Sequence, residues 1–233
     1  MLKRALDIAV ASVGLLVTSP LLLGVMVVVW LGDRHSPLYI APRVARGGGQ
    51  FRMVKLRSMS VGADRTGVSS TSNSDRRITP VGHFIRRYKL DEITQLWNVL
   101  VGDMSLVGPR PQVRSAVNLY TPREMRLLTI RPGITDFASI VFADEGAILA
   151  GSHNPDADYD ALIRPWKSRL GLIYIENQSI TLDAQLIAAT LLAIVSRKRA
   201  LGLVRKLLER THAPHDVIRV ATRQHHLMPA TPP

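Results

Sequence analysis

Apolar residues fall into a few distinct patterns along the chain. The first is an unbroken run, Ile8 to Gly32 (IAVASVGLLVTSPLLLGVMVVVWLG), with no charged side chain. Runs of about 18 or more such residues predict a membrane segment, and the run exceeds the usual apolar core of a cleaved signal peptide, about 7–15 residues. Next, Phe51 to Met59 (FRMVKLRSM) has strand-like content and carries Arg52, Lys55 and Arg57. From Leu90 to Leu100, the residues Ile93, Leu96, Trp97 and Leu100 recur at helical spacing and predict one helix with one apolar face. Leu182 to Val195 predicts an apolar helix too short to span a bilayer, so either a core helix or one at the membrane surface.

Between these runs the signals are local. Ser36 to Arg46 is short, extended and basic, and Gly47 to Gln50 is a turn. Residues 60–76, rich in Ser, Thr, Gly and Asp, predict a mobile loop. Thr79-Pro80 predicts a helix start. Gly108 to Pro111 and Arg131 to Thr135 are proline turns, each with an arginine. Residues 212–233 show no periodicity and predict a poorly ordered tail.

The membrane segment admits two arrangements. A straight helix of this length, at about 1.5 Å per residue, would cross a core of about 30 Å. Ser19-Pro20 falls mid-segment, however, where proline deprives the Leu16 carbonyl of its partner. Lys3 and Arg4 precede the run, and Arg34, Arg43 and Arg46 follow it. Positive charge favours the cytoplasmic side, and both flanks carry it. A re-entrant hairpin turning at Ser19-Pro20, with the Thr18 and Ser19 hydroxyls covering freed backbone groups, would satisfy both flanks. On the residues alone, both arrangements stand.

Charge narrows the function. Among 233 residues, Lys and Arg total 30 against 18 Asp and Glu, a formal charge of +12. That surplus suits a polyanionic partner: nucleic acid, an anionic membrane lipid surface or a phosphorylated substrate. Aromatics make up only 5%, few for gripping single strands by stacking, which argues against nucleic acid. The absence of cysteine excludes disulfides and thiolate metal sites.

The stretch YKLDEITQLWNVLVGDMSLVGPRP, Tyr88 to Pro111, concentrates the candidate chemistry. Asp91-Glu92 could simply complement a helix dipole. Adjacent residues point about 100° apart on a helix, so one could act while the other orients it. Arg86, Arg87 and Lys89 could form a solvated basic face or hold a diphosphate beside an attacking carboxylate. Arg110, between Pro109 and Pro111, is a guanidinium fork on a stiff turn, suited to bidentate phosphate recognition or merely to a surface turn. Lys55 and Arg57 are either further phosphate ligands or an exposed strand face, and Arg131 sits at the second proline turn. His212 and His215 have metal-like spacing in a tail where histidines rarely act.

In KRALDIAVASVGLLVTSP, KLRSM, LDEITQLWNVLVGDMSLVGPRP and RPGIT the chain resembles the bacterial sugar transferases, monotopic polyprenol-phosphate phosphoglycosyl transferases. A weaker match, YIENQS and LD, extends the resemblance to about residue 195. The resemblance implies a helix broken at Ser19-Pro20, a UDP-sugar donor and a polyprenol phosphate acceptor. It implies Asp91 as nucleophile with Mg²⁺ bound nearby, Glu92 in support, and Pro109 to Pro111 at the nucleotide end of the donor. Departures are Ile93-Thr94 after the acidic pair, and Asp136 and Ser139 after the second proline turn; these bear on the donor sugar. The expected fold is α+β and mainly helical. It comprises a re-entrant anchor over residues 1–34, a small cytosolic catalytic domain with surface amphipathic helices over 35–200, and a partly disordered extension over 201–233. The expected location is the cytoplasmic face of a bacterial inner membrane, at the first membrane step of a glycan pathway such as exopolysaccharide biosynthesis. The sequence is compatible with a homodimer.

Overall fold

The first long apolar run becomes one helix, α1 (Leu2–Asp33), in the computed structural model, which describes residues 2–66 and 75–233. Part of the loop expected over 60–76 therefore lies outside the described residues. α1 runs through Ser19-Pro20 without interruption, so the expected break does not end the helix. Proline leaves the Leu16 carbonyl without its helical donor, and the Ser19 hydroxyl takes that place at 2.8 Å, while Thr18 Oγ1 donates to the Gly14 carbonyl at 2.7 Å.

Both ends of α1 dock on the rest of the chain. Near its start, Lys3 bonds Asp183 at 2.5 Å, Arg4 Nη2 donates to the Leu100 carbonyl at 2.8 Å, and the buried Asp7 carboxylate accepts from Ser105 and Leu106. In its second half, Leu22, Val25 and Val29 share a small core with Leu56, Ile85 and Leu90. Its middle is bare: Leu16 is 76% and Val17 72% exposed, which makes this stretch the part of α1 without protein cover.

After α1 come an antiparallel hairpin, β1 (Leu38–Val44) and β2 (Gln50–Leu56), and then α2 (Pro80–Arg87), α3 (Leu90–Ile93) and α4 (Leu96–Val101). Thr79 caps α2 by accepting from Gly82 N–H, with Pro80 in the first turn as the sequence indicated. The single helix expected over 90–100 is two, split at Thr94-Gln95. The reason is polar: the Thr94 hydroxyl donates to the Val54 and Asp91 carbonyls, and Asn98 pairs with the β2 backbone through Arg52 O and Val54 N. The buried residues are thus Leu90, Thr94, Gln95, Asn98 and Val99, whereas Trp97, assigned to the apolar face, is 55% exposed.

The remaining elements are β3 (Ser105–Val107), α5 (Arg114–Val117), β4 (Gly133–Thr135), α6 (Phe137–Val141), α7 (Glu145–Ile148), α8 (Pro155–Asp158), a π-helical turn at Tyr159–Ile163 and α9 (Arg164–Glu176). β3 and β4 pair in parallel. They meet at Gly108 and Gly133, where a methyl on Gly133 would lie 2.1 Å from Gly108 N, so only glycine permits the approach. α10 (Ile180–Val195), α11 (Arg197–Arg210) and α12 (His215–Ala221) complete the fold. It is mainly helical with two small sheets, the α+β class expected.

Residues after 200 depart from expectation. The boundary placed there falls inside α11, and Leu201, Val204, Leu207, Leu208, Val217 and Ala221 are buried in the main core. Every third or fourth residue of α11 is apolar, and that periodicity continues the core past the last sequence motif. The expected disorder does not extend to residues 215–221, which form α12; residues 224–233 have no regular secondary structure.

Candidate active site

Asp91 and Glu92 reach the site through an uncommon backbone turn. Lys89, between α2 and α3, adopts φ 53° and ψ 30°, the left-handed region that costs a non-glycine residue about 1–2 kcal/mol. The turn lets Leu90 face the small core under α1 while Asp91 and Glu92 face an open cleft of about 550 Å³. Six cations line this cleft (Arg43, Lys55, Arg86, Lys89, Arg110 and Lys167) with five carboxylates (Asp91, Glu92, Glu145, Asp156 and Asp160). The net is one positive charge, so the chain's large basic surplus lies elsewhere.

The two acids are held differently. Glu92 accepts from Arg110 Nη2 at 2.9 Å. Burial alone would raise its pKa, but Arg110, Lys89 and Lys55 outweigh that and bring it to about 2. Reciprocally, Glu92 raises the pKa of Arg110. The Asp91 carboxylate receives no hydrogen bond among the described residues, and its ion-pair partner is Lys55 Nζ at 3.9 Å. Burial pushes its pKa up against the pull of Lys55. Lys55, on β2, is brought down to about 8 by burial and by Arg110. One acid is thus favoured as an anion by Arg110, and its neighbour is desolvated with no hydrogen bond to its carboxylate among the described residues. Asp91 does not bond helix N–H groups, so the helix-dipole reading does not describe it.

The structure gathers Lys55, Arg86, Asp91, Glu92, Arg110 and Pro111 in one cleft. Pro109 lines a small pocket of about 30 Å³ behind it, which shares Arg110, Ser139, Tyr159 and Lys167 with the cleft. Three expected donor-binding residues are elsewhere. Arg57 is taken by α1, with Nη2 2.7 Å from Asp33. Arg87 is exposed, with its guanidinium over the Tyr88 ring. Arg131 Nε donates to the Gly102 carbonyl at 2.9 Å and closes the end of α4. At the departure after the second proline turn, Asp136 caps α6 by accepting from Ser139 N–H at 2.7 Å, and Ser139 lines the cleft.

Sequence reasoning missed Arg43, Glu145 and Lys167. Arg43 sits in the basic extended segment, but alternation along β1 was the only signal there. Glu145 and Lys167 form a close ion pair across the far wall, 22 residues apart, and no local motif marks them.

A long apolar helix docked at both ends beside a charged cleft is an arrangement that suits a membrane-associated protein. The chain belongs to the bacterial sugar transferase family, whose model matches residues 1–197. It is 34% identical over 198 residues to a UDP-N-acetylgalactosamine-undecaprenyl-phosphate N-acetylgalactosaminephosphotransferase of Aeromonas hydrophila, covering 84% of this chain and 44% of the relative. It is 33% identical to the galactosyl transferase CpsE of Streptococcus agalactiae, covering 83% and 42%. It is 35% identical to an undecaprenyl-phosphate glucose phosphotransferase of Komagataeibacter xylinus, covering 81% and 35%. The matches span less than half the length of these relatives, and the names carry different sugars.

Proposed function

We propose that the protein transfers a phosphosugar from a UDP-sugar to a membrane polyprenol phosphate, such as undecaprenyl phosphate, and releases UMP. The observation that carries this is the uncommitted, desolvated Asp91 carboxylate among cleft cations. A carboxylate oxygen of Asp91 attacks the sugar-bearing phosphorus; the bond to the bridging oxygen breaks, and UMP leaves with its electron pair. The resulting acyl phosphate is attacked at the same phosphorus by an oxygen of the lipid phosphate, which frees Asp91 and yields the lipid diphosphosugar. Two steps allow the water-soluble donor to leave before the membrane-bound acceptor reacts.

Lys55, Arg86 and Arg110 hold the donor phosphates, with Pro109 and Pro111 stiffening the Arg110 turn. Arg110 stays oriented by Glu92. A cleft carrying one net positive charge only partly offsets a dianionic diphosphate, which favours entry of a divalent cation with the donor. The described residues contain no cluster of three metal-ligating side chains. Mg²⁺ needs fewer, since one or two carboxylates plus substrate phosphates suffice, and Asp91 has free oxygens to offer beside Glu92. When bound, the ion would neutralise charge on the diphosphate.

The reading is tested by incubating purified protein with a panel of UDP-sugars and Mg²⁺, with and without polyprenol phosphate, and measuring UMP. Catalytic UMP release with at least one donor, dependent on the lipid, is expected. A membrane-anchored basic binding protein would release none, and an aspartyl-phosphate phosphatase would release sugar phosphate to water without lipid.

The same proposal places the protein on the cytoplasmic face of the inner membrane, with both ends of α1 on that side. Docking of both ends on one body supports this re-entrant seating, and so does the bare, apolar middle with Ser19-Pro20 at its centre. Since the chain lacks cysteine, Leu2→Cys and Ser36→Cys provide clean reporters. Both should resist an impermeant thiol reagent in intact cells. Labelling of the residue 2 site alone from outside would show a spanning helix.

A further inference from the structure

The far wall of the cleft includes two short segments, Phe142 to Gly146 and the π-helical turn beginning at Tyr159. Neither belongs to a sheet, and each is gripped from behind by chain that lies at or beyond the end of the family match. Asp144, between cleft-lining Ala143 and Glu145, is held by two arginines: Arg197 Nη2 at 2.7 Å and Arg223 Nη2 at 3.3 Å. The Arg223 guanidinium also lies over the Phe142 ring, 5.6 Å from its centroid. At the second segment, Ala230 N–H donates to the Ala161 carbonyl at 3.0 Å, which ties the final residues to the turn that carries Tyr159 and Asp160. The Thr121 hydroxyl fixes the chain again by donating to the Pro233 carbonyl at 2.7 Å.

Arg223 holds an unusual backbone position for this purpose. It follows α12 with φ 53°, the helix-stop conformation normally taken by glycine or asparagine. A residue whose backbone would be more relaxed as glycine keeps a side chain here, and that side chain is 14% exposed and reaches Asp144. Strain of this kind persists where the surroundings hold the residue in place.

We infer that residues 197–233 form a brace that positions the far wall of the donor cleft, with Arg223 as its positioning residue acting on Glu145 through Asp144. The inference rests on the transferase reading above. Among the described residues, no hydrogen bond or ion pair of the brace reaches the Asp91 carboxylate or α1. Loss of the brace lets the wall move away from the donor and leaves the attacking group where it is. A wall that no longer presents its charged and polar groups to the donor in one place binds it less tightly.

The test uses the full-length protein in membranes, with the UDP-sugar found active in the donor panel. Arg223→Gly removes the guanidinium while suiting the backbone, so the backbone itself is not strained by the change. Asp144→Asn removes the anion that both arginines hold. In each variant the donor KM should rise by roughly fivefold or more, with kcat and the KM for polyprenol phosphate within about twofold. Arg223→Lys, which restores a cation, should recover part of the donor KM. An unchanged donor KM with loss only in kcat, or only in the amount of active protein, would show that these residues merely stabilise the fold and would overturn the inference while leaving the transferase reading intact. Absence of turnover by the unsubstituted protein with any UDP-sugar would instead overturn the transferase reading, and this inference with it.

Discussion

Asp91→Asn should abolish turnover while leaving folding and membrane extraction unchanged. Asparagine keeps the shape of the side chain but offers no anionic oxygen to phosphorus, so the loss should span orders of magnitude. A carboxylate that merely complemented a helix end would cost about 0.3–1 kcal/mol of stability and little activity. The structure sharpens the contrast. Because burial raises the pKa of Asp91 in the folded state, its ionised form is disfavoured there. That contribution to stability is present below the unfolded pKa and is lost as pH rises, so at neutral pH the charge is a liability to the fold. The variant should therefore melt no earlier than the parent protein. Sugar-labelled donor should attach to the parent protein without acceptor, chase off when lipid is added, and be labile to hydroxylamine. An active Asp91→Asn protein, verified free of deamidation, would end the covalent mechanism.

The pH profile of kcat/KM should carry the same signature. Its acid limb, from Asp91, should lie above the ordinary carboxylate range, because burial raises that group. Its alkaline limb should lie near 8, where Lys55 loses its charge. Lys55→Arg should carry the alkaline limb upward.

Arg110→Lys is the second large effect. Lysine keeps the charge but loses the planar fork, so a loss beyond about tenfold in kcat/KM is expected despite the formally conservative change. The geometry gives a further reason: the guanidinium bonds Glu92 at 2.9 Å, so any donor oxygen must be served by the nitrogens left over. An ammonium has no such second edge. Donor KM should carry most of the loss, and wild-type donor affinity in the variant would remove Arg110 from phosphate binding.

How much of this was readable beforehand depends on how local each feature is. The long apolar helix, the Thr79-Pro80 helix start, and the places of the acidic pair and the Pro-Arg-Pro turn beside one cleft all follow from short windows of sequence. The split of the Leu90–Leu100 helix does not, because it depends on Thr94 and Asn98 bonding a strand some forty residues earlier. Arg57 shows the opposite error. Its neighbour Lys55 faces the cleft and basic strands invite pairing with phosphate, yet Arg57 lies beyond the end of β2 and is spent on Asp33. Glu145, Lys167 and Arg223 come together only through tertiary packing of short irregular segments, and no periodicity announces such a meeting. The helices after residue 200 carry no motif, and the plain apolar spacing of α11 is the signal that marks them.

Leu90 packs with Val25 and Val29 of α1, and the very next residue is Asp91. A single peptide bond thus separates a contact with α1 from the carboxylate proposed to attack. On the transferase reading, an acceptor confined to the bilayer searches a plane rather than a volume, and it finds its target only if its phosphate travels at the right height. On that reading the height is set by how the catalytic body packs on α1, to which Leu56, Ile85 and Leu90 contribute at the second half of the helix. Bilayer thickness then becomes a rate variable: lipids with longer or shorter chains should change acceptor turnover without touching donor affinity.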